Sequence, residues 1–289
     1  MKGKITNILL ILVLVAGLSL MLYPTVSSAY NAYLQSLIIA EYSDQINEIA
    51  EAARREAMEA AEAYNAALLD RQDPFRLNGE LEERYWELLD TGGQGVMAYI
   101  EIPSIAVNLP IAHGTEKRTL SSYVGHIEWS SLPVGGESTH CVISGHRGLP
   151  SSELFTNIDH LELGDKFYIH VLGRTLEYRI NNISVVDPYD YSQLGVTEGA
   201  DYCTLVTCTP YGVNSHRLLV RGIRVDVQAG VENGKLDVWN EIHPIAPAAV
   251  VPVCLAFLVV AAVLMVLVRD GLRNLRCRGK YQRPREEWK

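Results

Sequence analysis

Residues 204–218 read TLVTCTPYGVNSHRL. The first five are an apolar, β-branched run of strand character that ends on a lone cysteine, Cys208. Thr209-Pro210 and Tyr211-Gly212 then mark a turn. His216 and Arg217 open a second β-rich run, HRLLVRGIRVDV, which returns toward the first. A thiol so placed has three readings: packing, half of a disulfide, or a nucleophile. A nucleophile must be a thiolate, and a free thiol titrates at about pH 8.5. It therefore needs a base or cation beside it, and donors for an oxyanion, such as an arginine or backbone N–H groups. Arg217 starts the returning strand, with its side chain expected at the same strand mouth as Cys208. His216, one position earlier, would face the other way.

Eight histidines compete for the role of base. His146 lies in SGHRG, directly after the strand-like run Cys141–Ser144, where a loop-tip imidazole can reach a cleft. His113 and His126 read as loop residues and His170 as a strand residue. His140, His160 and His243 have no distinguishing context. Spacing favours His146 without excluding the others.

Five cysteines are present: Cys141, Cys203, Cys208, Cys254 and Cys277. Cys254 falls in an apolar segment and Cys277 in a basic tail. The three that remain are an odd number, so one must stay unpaired or pair between chains. A Cys141–Cys203 bridge is poorly placed, because both sit in strand-like runs. There is no CxxC pair and no cysteine–histidine cluster with zinc spacing, so no metal is expected.

Two segments are built for a membrane. Residues 5–22, ITNILLILVLVAGLSLML, carry no charge and follow Lys2 and Lys4. They read as a retained anchor in preference to a cleaved signal, since no clear small-x-small site follows directly. Residues 245–268, IAPAAVVPVCLAFLVVAAVLMVLV, are also uncharged and long enough to span. The basic tail behind them, with Arg269, Arg273, Arg276, Arg278 and Lys280, marks a cytoplasmic side. Both termini are thus expected inside and residues 25–244 outside. Those middle residues hold 15 basic and 31 acidic side chains, a net charge of −16. Such a surface argues against nucleic acid, which needs a basic footprint.

The outer region has two parts. Residues 30–70 lack Gly and Pro and are rich in Ala, Glu and Leu, which predicts a helical stalk ending near Pro74. From about Met97 the runs MAYIEI, CVISGH, DKFYIHVLG, RTLEYRINNISVV and CTLVTCT are short and β-rich, separated by Asn, Gly, Asp and Pro. Short strands at this spacing predict a closed or sandwiched antiparallel β-domain.

TLVTC with Arg217 nine residues on, and SGHRG upstream, resembles the signature of the sortase family. The resemblance covers about residues 97–227, with PIAHGT and GHIEWSSLPVGG inside it. It implies a mostly β fold: a closed sortase-type barrel of about eight strands, preceded by helices and flanked by transmembrane helices. It further implies Cys208 as nucleophile, His146 as acid/base and Arg217 as oxyanion and substrate clamp, with no cofactor. RQDPFRLNG, at residues 71–79, resembles the Asp-Pro-aromatic lid of class C sortases, the pilin polymerases. Carried over, Asp73 would pair with Arg217, and Phe75, after Pro74, would cover Cys208. Read locally, the same segment is a helix-ending turn.

The expected organisation is then an N-terminal segment at 1–24, a helical stalk at 25–70, a lid at 71–79 and a catalytic barrel at 80–230. A linker at 231–244, a span at 245–268 and a cytoplasmic tail at 269–289 follow. The implied reaction cleaves a Leu-Pro-x-Thr-Gly-like signal between Thr and Gly. The acyl group then passes to an acceptor lysine on another pilin subunit, at a Gram-positive cell surface. Two other readings stay open: a housekeeping sortase anchoring proteins to peptidoglycan, and a membrane-tethered binding domain in which Cys208 is merely buried.

Overall fold

A computed structural model describes residues 2–225 and, beyond them, Val260. The expected linker at 231–244, the span at 245–268 and the tail at 269–289 lie outside the described residues, that valine excepted. The chain divides into two compact units, residues 1–26 with 244–289, and residues 27–243. Helix α1 (Lys2–Glu48) begins in the first. Among the described residues it is the one helix long and apolar enough to cross a membrane. Leu10, Leu12, Val13, Leu20 and Met21 on it are exposed.

In the second unit the helical region is not one rod. Helix α1 ends at Glu48 and α2 (Glu51–Ala67) starts after Ala50, whose ψ of 141° breaks the helical path. No Gly or Pro marks the place, so local sequence gave no warning. The cause is packing. Ile39, Tyr42 and Ile46 of α1 and Met58, Ala61 and Tyr64 of α2 all enter one core with the strands. A straight helix over residues 30–70 would be about 60 Å long and could not lay both stretches on one small barrel. The region packs against the barrel instead of standing away from it as a stalk.

Eight strands close the barrel: β1 (Val96–Ile102), β2 (Val107–His113), β3 (Val124–His126), β4 (Thr139–Ser144), β5 (Lys166–Val171), β6 (Arg174–Val186), β7 (Asp201–Thr209) and β8 (His216–Arg224). Their order around it is β1-β2-β3-β4-β7-β8-β6-β5. Two neighbour pairs are parallel, β2 with β3 and β4 with β7, and the rest are antiparallel. Phe167, Ile169, Tyr178, Cys203, Leu205, Leu218 and Val220 belong to the main core. A second, smaller cluster holds Val142, Val186, Leu194, Val206 and Leu219. Successive strand residues alternate faces. Leu205 and Val206 therefore point opposite ways, as do Leu218 and Leu219, and the second cluster lies on the outer face of β4-β7-β8.

Buried polar side chains dock the helices. Tyr42 donates to the Met97 carbonyl at 3.1 Å and accepts from the Leu172 N–H at 3.0 Å. Asn65, on α2, donates to the Leu132 carbonyl at 3.2 Å and accepts from the Leu132 N–H at 2.7 Å. Replacing Asn65 with alanine strands both backbone groups of Leu132 away from water. We expect a loss of about 2–6 kcal/mol in denaturant unfolding, at roughly 1–3 kcal/mol for each of the two orphaned groups.

Candidate active site

Cys208 is the second-last residue of β7 and pairs across the ladder with Arg217, the second residue of β8. Direct partners on adjacent antiparallel strands share a face, about 5 Å apart at Cα. That face carries Val206 and Leu219, also ladder partners, so it is the outer one. The thiol and guanidinium thus project from the sheet's outer surface near the strand ends, not into the barrel's mouth. Cys208 is partly exposed, and Cys141 and Cys203 are free thiols buried as partners on β4 and β7.

His146 comes from the other side. Strand β4 runs parallel to β7, with Ser144 opposite Val206. The pairing continues past the strand: the Gly145 N–H donates to the Val206 carbonyl at 3.0 Å, and the Thr207 hydroxyl donates to the Gly145 carbonyl at 2.8 Å. Two residues beyond Ser144 is His146, and two beyond Val206 is Cys208. Imidazole, thiol and guanidinium therefore stand at one level on three consecutive strands or their extensions. Glycine is required at 145, because a Cβ there would come within 2.6 Å of the Phe155 ring. His146 is half-buried, and burial lowers its pKa, which leaves the ring neutral at pH 7.

The remaining described histidines lie elsewhere, and His160 is exposed at the end of the turn Ile158–His160. His113 and His126, expected in loops, end β2 and β3 and are buried. His126 meets the Tyr85 hydroxyl at 3.1 Å and the Ser131 carbonyl at 2.8 Å. His170 stacks on Tyr99. His216 is exposed beside Ser215. His243 lies outside the described residues.

Residues 71–78 form an irregular segment ahead of α3 (Gly79–Glu87). Its Phe75 packs on the outer cluster that contains Val206, two positions from Cys208 on the same face. The ring also meets Trp129 edge-on at 5.1 Å and Tyr191 at 5.7 Å. Asp73 does not pair with Arg217: no ion pair joins them among the described residues. Its carboxylate accepts from the Phe75 N–H at 3.0 Å, closing the turn that Pro74 starts. The guanidinium of Arg217 donates instead to the carbonyls of Asn214 and His216. The segment's tie to the barrel is Arg71, which sequence reasoning passed over. It donates to the Leu68 carbonyl at 2.9 Å, the Arg76 carbonyl at 3.3 Å and the Trp129 carbonyl at 2.9 Å. Nothing local in RQDPF reveals this, because the acceptor lies 58 residues away.

Beside the segment runs a groove of about 540 Å³, lined by Leu68, Arg71, Pro74, Trp129, His140 and Leu194 among others. His140, among the groove's lining residues, is held by two bonds. Its Nδ1 donates to the Gly195 carbonyl at 2.9 Å, and its Nε2 accepts from the Thr204 hydroxyl at 2.7 Å.

The family model for the sortase domain matches residues 100–225. The crystal structure of sortase C1 from Streptococcus agalactiae is 42% identical, with a TM-score of 0.63, over 65% of this chain and 97% of that one. The chain belongs to the sortase family. A sortase C from Streptococcus pneumoniae aligns with 40% identity and a TM-score of 0.60, over 67% of this sortase and 99% of that chain. Sortase A of Bacillus anthracis is 29% identical over 134 residues, 46% of this chain. This sortase spans 62% of that curated relative's length and 47% of another, a sortase A of Streptococcus agalactiae.

Burial pushes the His140 pKa down to about 4. An unfolded histidine titrates at about 6.5, so between those values the unfolded chain binds more protons. His140 therefore stabilises the fold fully above pH 6.5, and that contribution is lost as pH falls toward 4. We expect His140→Gln to remove about 3 kcal/mol of the difference in unfolding free energy between pH 7 and pH 4. Chemical denaturation at the two pH values measures it.

Proposed function

We propose that this sortase is a class C cysteine transpeptidase that joins pilin subunits. The observation that carries the reading is the row His146, Cys208, Arg217 on the outer face of β4-β7-β8, beside an apolar cluster that Phe75 of residues 71–78 covers. Similarity to sortase C proteins supports the class, and for the Streptococcus pneumoniae protein pilin substrate specificity is described.

The chemistry follows from these groups. A neutral His146 imidazole takes the Cys208 proton, and the thiolate attacks the Thr–Gly carbonyl of a Leu-Pro-x-Thr-Gly-like signal. The Arg217 guanidinium, on the same face one strand away, faces the oxygen where negative charge develops. The imidazolium returns its proton to the departing glycine amine as the C–N bond breaks, leaving a thioester. A lysine amine from a second pilin attacks that thioester, loses a proton and restores the thiol, forming an isopeptide bond. No step needs a metal or organic cofactor.

Residues 71–78 act as a lid in this reading. Phe75 occupies apolar surface that an extended peptide would use, and Arg71 keeps it there. Asp73 serves the lid's own turn and not the catalytic arginine. For membrane placement, we assign α1 as an anchor and residues 245–268 as a second span, with the barrel outside and both termini in the cytoplasm.

Cys208→Ala is expected to abolish high-mass pilin ladders when the chain is co-expressed with a candidate pilin, without unfolding the barrel. Ladders that persist would remove the cysteine from the mechanism. Arg71→Ala and Phe75→Ala are each expected to speed labelling of Cys208 by a bulky maleimide about tenfold, the effect of roughly 1.4 kcal/mol of lost contacts. An unchanged labelling rate would reduce the segment to a plain turn.

A further inference from the structure

We propose that Arg147 is a positioning residue that holds His146 over Cys208 by clamping together the two loops in which β4 and β7 end. The proposal rests on the reading of Cys208 and His146 as nucleophile and acid–base partner. It adds a residue that this reading does not contain.

Regular pairing between the two strands stops just short of the chemistry. Gly145 is the last residue of the β4 extension bonded to β7. Among the described residues the His146 imidazole has no hydrogen-bond partner, so its ring is not fixed directly. Its backbone is fixed on one side by the Phe155 N–H, which donates to the His146 carbonyl at 3.1 Å. The next residue, Arg147, supplies the other hold.

The Arg147 side chain is only 10% exposed. Its guanidinium donates to the Asp159 carboxylate at 2.5 Å and lies 5.5 Å from the centroid of the Tyr211 ring. Tyr211 is three residues past Cys208, in the turn between β7 and β8. The same ring lies against the backbone of the histidine loop at Gly148. That residue has φ of +74°, and a Cβ there would stand 3.0 Å from the ring. Tyr211 thus touches two consecutive residues beyond His146, and Asp159 holds the arginine from a third segment.

The residue type fits this task. A planar guanidinium can bond a carboxylate in its plane while its face meets an aromatic ring, which an ammonium cannot do. Burying an ion pair is a poor route to stability, so its value here is the arrangement it imposes. Misplacing a reacting group by about 1 Å can cost a hundredfold in rate. The clamp spans the two loops whose separation sets the imidazole–sulfur distance.

The test is the pH dependence of Cys208 alkylation by iodoacetamide, read site by site by mass spectrometry on the purified full chain. Wild type is compared with His146→Ala, Arg147→Ala, Arg147→Lys and Tyr211→Ala. We expect His146→Ala to change the profile and Arg147→Ala to move it toward the His146→Ala curve. The rate at pH 7 should fall about tenfold. Arg147→Lys should recover only part of the loss. Tyr211 is 60% exposed, so Tyr211→Ala removes the clamp's other jaw with little risk to folding and should move the profile the same way. It decides the matter if Arg147→Ala does not fold. A merely structural role for Arg147 would lower stability and leave the profile in place. If His146→Ala changes the profile while folded clamp variants match wild type, the clamp alone is overturned. If His146→Ala itself matches wild type, the sulfur–imidazole pairing falls and the clamp with it.

Discussion

Two neighbouring strands that run the same way must send the chain out at the same end of the sheet. Strands β4 and β7 are such a pair, and the candidate site depends on their direction. Had they been antiparallel, the loop after Ser144 would leave at the far end from Cys208, and no side chain could cover the distance. Parallel neighbours need a long connection. Here it includes β5, β6 and the loops that wall the groove. One choice of strand direction therefore fixes the reach of the imidazole and provides the chain that builds the groove's wall. Strand β8 adds Arg217 by the opposite device, a tight turn that brings it directly across from Cys208.

Much of this was legible because it is local. The strand ending at Cys208, the turn after it and the arginine that follows lie within ten residues of one another. The SGHRG loop also announced itself, although choosing His146 among eight histidines drew on family resemblance as well as position. What sequence could not give is which face of β7 carries the thiol. The run TLVTC shows no polar–apolar alternation because one side meets the core and the other meets the cluster under Phe75. A strand covered on both faces has no alternation to read. The division of the helical region at Ile49–Ala50 was hidden for a similar reason, since only the barrel's curvature demands it. Arg71 and Arg147 lie inside quoted stretches, RQDPFRLNG and SGHRG, but their roles stayed hidden because the contacts that define them reach other parts of the chain.

The covering segment is held differently from what the family resemblance implied. An Asp73–Arg217 ion pair would have coupled the segment directly to Arg217. Instead the segment closes on itself through Asp73 and Phe75 and is tethered through Arg71 to backbone carbonyls. Hydrogen bonds to carbonyls at a half-buried site are screened less by salt than an exposed ion pair would be. Arg217 keeps its donors on its own turn. No bond from residues 71–78 has to break before it changes partners.

Closure of the sheet has one more effect. In an open sheet the two outermost strands display unpaired N–H and C=O groups, a template on which a foreign chain can add. Here β1 is bonded to both β2 and β5, so the ring has no outermost member. An extended polypeptide passing the barrel finds no backbone ladder to join and must be recognised by side chains on the outer surface. The architecture thus resists accidental polymerisation by strand exchange.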